Sequence, residues 1–68
     1  MSNQEIIFSE KDGDTFYSIT KGVFYIKDFM ADMLAYRVMK HTQYSKPIVE
    51  YTFVKTQAEA IMKDLMKA

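Results

Sequence analysis

No cysteine occurs among the 68 residues, and His41 is the only histidine. This removes the staples on which small domains usually rely. A chain of this size buries only about 60% of the surface that its unfolded form exposes. Disulfides, a structural metal or a partner commonly supply the missing stability. Disulfides are excluded here, and a structural zinc needs about four Cys or His ligands. What remains is a dense apolar core, or a core completed by another chain. Apolar residues make up 49% of the sequence and aromatics 15%, too hydrophobic for a disordered tail. The absence of cysteine fits a reducing compartment, and the expected location is cytoplasmic. No run of about 18 apolar residues predicts a membrane span. Met1-Ser2-Asn3-Gln4-Glu5 lacks the basic head and apolar run of a signal peptide.

Nine basic and nine acidic side chains cancel, but they are unevenly placed. Residues 1–20 carry −3, residues 21–34 are neutral, and residues 35–68 carry +3. Such a division permits head-to-tail attraction within one fold or between copies. It also argues against an ordinary nucleic-acid binder, whose charge is strongly basic.

The apolar pattern predicts one α+β domain spanning residues 1–68. Glu5–Lys11 reads as a strand, Asp12-Gly13 as a type I′ hairpin turn, and Asp14–Thr20 as the returning strand. Val23–Lys27 is rich in β-branched and aromatic residues and predicts a third strand after Gly22, with a bulge or an early helix start as alternatives. Asp28–His41 predicts a helix. Asp28 caps it, Arg37, Lys40 and His41 meet its negative end, and Phe29, Met30, Met33, Leu34 and Val38 form a broad apolar arc. Met39 lies on the opposite side of that wheel, so the helix has little polar face and calls for burial on more than one side. A loop over 42–47 ends at Pro47, and Ile48–Lys55 predicts a further strand. Thr56-Gln57-Ala58-Glu59 has the form of a capping box. The helix it opens runs to about Lys67, with Ala58, Ile61, Met62 and Leu65 on one stripe. The expected architecture is β-β-(β)-α-β-α, a small antiparallel sheet with two helices packed on one face.

Little in this inventory carries chemistry. Asp12-Gly13-Asp14 lacks the twelve-residue pattern of a calcium loop. Ser9, Ser18 and Ser45 have only His41 as a possible base. Gly13 and Gly22 are too far apart to form a phosphate cradle. The expectation is a protein that is not an enzyme and takes no cofactor and no metal. The leading expectation is a protein–protein interaction module, an adaptor or inhibitor acting by surface occupation, homodimeric or bound to a larger partner. Phage and mobile-element inhibitors supply the analogy, on size alone. Its interface is expected on the first helix, through Phe29, Met33, Tyr36, Arg37 and Met39, with Arg37 as charged anchor. The alternative is a single-stranded nucleic-acid-binding module using Tyr17, Tyr25, Lys27, Lys46, Tyr51 and Lys55, in which aromatics and cations on a sheet stack on bases. A third possibility is a small-molecule binder with a pocket at a dimer interface.

Overall fold

The computed structural model describes residues 4–67. Four strands, β1 (Glu5–Asp12), β2 (Thr15–Ile26), β3 (Ala31–Thr42) and β4 (Ile48–Thr52), are followed by one helix, α1 (Lys55–Lys67). The sheet is a simple antiparallel meander in the order β1-β2-β3-β4.

The expected helix over 28–41 is not formed, so the two-helix architecture is corrected to a four-stranded sheet with a single C-terminal helix. Residues 31–42 pair with β2 without interruption, from Ile26↔Ala31 to Thr15↔Thr42. The good helix formers Ala, Met, Leu, Arg and Lys in this stretch are overridden by tertiary pairing. A central strand that buries apolar groups on both faces looks, in sequence, much like a helix buried all round. Asp28 caps nothing. It lies in a four-residue turn, Lys27–Met30, closed by bonds from Phe29 N–H to the Ile26 carbonyl (3.1 Å) and from Met30 N–H to the Lys27 carbonyl (3.2 Å). Met30 takes φ 52°, the left-handed conformation in which a hairpin of this kind usually places glycine or asparagine.

Gly22 neither turns nor bulges, so the expected third strand is the second half of a continuous twelve-residue β2. The first hairpin forms where expected but with different central residues. Asp12 pairs with Thr15, which leaves Gly13-Asp14 as a two-residue loop with positive φ at Gly13 only (60°), the II′ pattern. The one register irregularity lies between Ile6 and Phe8. The unpaired Ile7 allows both Ile7 and Phe8 to pack against the helix-side core.

The stripe read for the second helix holds. Ala58 and Met62 are buried against Tyr17, Ile19 and Val38, and Ile61, Leu65 and Met66 pack around them. The capping box does not form. The Val54 carbonyl accepts the first helical bond, from Ala58 N–H (3.1 Å), so Val54 occupies the cap position and Thr56 lies inside the first turn. Thirteen helical residues span about 20 Å, whereas the molecule extends 34 Å along its longest axis. The helix therefore covers only one end of the long β2–β3 hairpin. At the other end, a second small cluster forms from Phe24, Ile26 and Ala35, with Met33 packed against it.

Candidate functional site

Side chains alternate across a strand, so the register assigns each residue to one of two sheet faces. The helix face holds Tyr17, Ile19 and Val38, which pack on α1. Every acidic residue of the strands lies on that same face. Glu5 is opposite Lys21, Glu10 opposite Tyr17, Asp12 opposite Thr15, Asp32 opposite Tyr25 and Glu50 opposite Val38.

The opposite, open face has no strand carboxylate and lies away from α1; towards its far end Phe24, Ile26 and Ala35 are buried in their own small cluster. Its ionisable residues are Lys11, Arg37 and His41, with Lys11 and His41 flanking Phe16 in one cross-strand row. The next row, Ser9, Ser18, Met39 and Val49, is followed by Ile6, Thr20, Arg37 and Tyr51. The centre of this face is floored by small residues, Ser18, Thr20, Gly22 and Ala35, all buried. Larger side chains stand around that floor and stay open to solvent, notably Phe16 (41% exposed), Val49 (41%) and Tyr51 (43%). The result is a shallow trough with aromatic walls and only positive charge.

Arg37 crosses the middle of the trough. Its guanidinium carbon lies 4.9 Å from the centroid of the Phe24 ring, a cation–π contact. Phe24 in turn meets Tyr51 at 5.6 Å between centroids, tilted by 52°. The Arg37 Nε is buried and has no hydrogen-bond partner. A buried donor left unpaired is costly, and here it belongs to the one arginine, on the face opposite α1. At the far end, Phe29 from the β2–β3 turn and Phe53 after β4 meet edge to face at 5.8 Å.

The residues expected for a protein interface are dispersed by the change from helix to strand. Met33, Arg37 and Met39 fall on the open face, Tyr36 packs on the opposite side against the helix-side core, and Phe29 lies in the turn. Of the residues expected for nucleic-acid contact, Tyr51 lies on the open face, and Tyr25 and Lys27 line with it a depression beside the β2–β3 turn. Tyr17 is buried beneath α1 with the Lys40 ammonium 5.8 Å from its ring centroid. Lys27 is in the turn, Lys46 in the loop before β4, and Lys55 opens α1. Phe16 and Lys11 do not stand out in the sequence, and His41 reads there only as a cation at a helix end and an unaided base. They emerge only once β3 is known to be a strand, since that pairing brings His41 beside Phe16.

A second depression, of about 550 Å³, runs between β1 and α1, with Ile7, Phe8, Met62 and Met66 lining it and Lys55, Glu59 and Lys63 beside them. Among the described residues no three His, Asp or Glu side chains converge to hold a metal ion, and no helix is long and apolar enough to cross a membrane. The chain matches no family model, no curated protein and no solved structure.

Proposed function

We propose that the protein is a non-enzymatic binding module of the cytoplasm that takes single-stranded nucleic acid on the open face of its sheet. The observation that carries this reading is the sorting of charge. All five strand carboxylates project from the helix side, so the net neutrality of the chain does not describe the surface a ligand meets. Exposed aromatic rings give bases a surface to stack on, independent of sequence, and a duplex hides those base faces. Lys11 and Arg37 supply cations for the backbone.

The test is fluorescence anisotropy with short single strands across a salt series. Affinity is expected to fall as salt rises. Tyr51→Ala is expected to weaken binding by about 1–3 kcal/mol, the usual loss of one stacked base. Lys11→Glu is expected to weaken it and to lower the salt slope by about 0.7. Lys67→Glu, on the outer helix, is expected to change little. Equal loss from Lys11→Glu and Lys67→Glu would remove the assignment to this face.

A second reading, self-association, has its own observation. On the helix face beyond α1, Val23 (42% exposed), Tyr25 (59%) and Leu34 (64%) form an apolar patch on the projecting hairpin. A dimer through this patch would leave the open face free. Sedimentation of the wild type against Leu34→Lys tests it: a dimer lost in the variant supports self-association, and a monomeric wild type rejects it.

A further inference from the structure

The trough continues at its far end into a pocket of about 280 Å³ between the β2–β3 turn and the end of β4. Phe29, Tyr51 and Phe53 line it, together with Lys27 and Asp28 of the turn. The volume falls just below the roughly 300–1,000 Å³ of pockets that take drug-sized ligands. It suits one planar heterocycle. Phe29 and Phe53 stand edge to face rather than closed on each other, and both remain about half exposed (59% and 46%). Ring surface is therefore available for stacking.

We infer that this pocket captures a single unpaired nucleobase and favours guanine. The inference rests on the nucleic-acid reading above and names the base that the end of the trough reads. A carboxylate only accepts hydrogen bonds, through two oxygens, and an ammonium only donates. Lys27 and Asp28 both line the pocket, so the turn offers it a donor and a two-fold acceptor. Guanine presents the matching edge: its carbonyl oxygen accepts, and its ring N–H and amino group are two neighbouring donors. Adenine and cytosine offer one donor group beside one acceptor and leave half of the carboxylate unused. Unstacked bases of single strands are commonly read in this way, stacked on aromatic rings and bonded along the pairing edge. Aromatic pockets with an acid also hold methylated ammonium groups, but the Lys27 charge beside this one opposes a cationic ligand.

The experiment titrates the full chain with labelled oligo-dT and with the same strand carrying one central guanine, in deoxy and ribo forms, for the wild type and Asp28→Asn. A preference of about tenfold for the guanine strand, lost in Asp28→Asn, is the expected result. Equal affinity of the wild type for both strands overturns the guanine pocket and leaves the trough standing. A preference retained in Asp28→Asn overturns it too. Failure to bind either strand overturns both the pocket and the trough. A trimethyl-lysine peptide that binds in place of the strands assigns the pocket to a cation and rejects the base.

Discussion

Two residues with left-handed backbone, Gly13 and Met30, show how differently the same geometry can be encoded. Gly13 adopts it without steric cost, and a Cβ built there would meet nothing within 4 Å. Gly13→Ala is thus expected to destabilise through backbone strain alone, by about 1–2 kcal/mol. Met30 already carries that strain and is 79% exposed, with no packing to compensate it. Met30→Gly is expected to stabilise the fold by about 1 kcal/mol, the strain released less the entropy lost by glycine. In a chain this small, thermal unfolding should then move by about 4–8 °C per kcal/mol, downward for the first variant and upward for the second. A strained apolar residue at the tip of an exposed hairpin is the kind of feature that concentrates at functional sites. Its position two residues from Asp28 places it beside the proposed base pocket. Residue-level reading of the sequence located Gly13 because Asp-Gly is a strong turn signal. It missed the Met30 turn because Lys-Asp-Phe-Met contains none of the residues that usually mark one.

Among the elements, α1 was legible because its apolar spacing has one interpretation, and β2 was legible in halves because Val23, Phe24, Tyr25 and Ile26 favour strands. The strand β3 was not. Its period is ambiguous, its residues are good helix formers, and only its pairing partners decide the outcome. The open face was hidden for the same reason, since Arg37 and Tyr51 become neighbours only through that pairing. The start of α1 offers a direct check on the corrected cap. Val54 cannot accept a side-chain bond from the first-turn N–H groups, whereas Asp can. Val54→Asp is expected to raise stability in denaturant titrations by about 1 kcal/mol. Thr56→Ala is expected to cost little, because Thr56 is not the cap. A large loss from Thr56→Ala would restore the capping box.

The whole molecule is uneven in its support. At one end the β2–β3 ladder is flanked by β1 and β4 and backed by α1. Beyond Lys21 on β2 and Tyr36 on β3, no third strand pairs with the hairpin among the described residues. Two-stranded hairpins are marginal on their own, and the small Phe24–Ile26–Ala35 cluster is what holds this one. Amide hydrogen exchange is expected to show high protection at 17–20 and 36–40 and clearly lower protection at 22–26 and 31–35. A bound single strand, lying across Arg37, Tyr51 and the turn, should raise protection in the second group more than in the first. Uniform protection along both strands would contradict this division of the ladder.

The continuous pairing from Ile26↔Ala31 to Thr15↔Thr42 couples two properties that separate elements would keep independent. One inserted or deleted residue within β3 exchanges the faces of everything beyond it. The same slip that pulls Val38 out from under Met62 would carry Asp32 or Lys40 around to the other surface. An inserted residue is expected to be tolerated best between Thr42 and Ile48, where the chain is exposed and pairs with no strand. A residue inserted there should leave both faces intact, whereas one inserted within β3, between Ala31 and Thr42, should not.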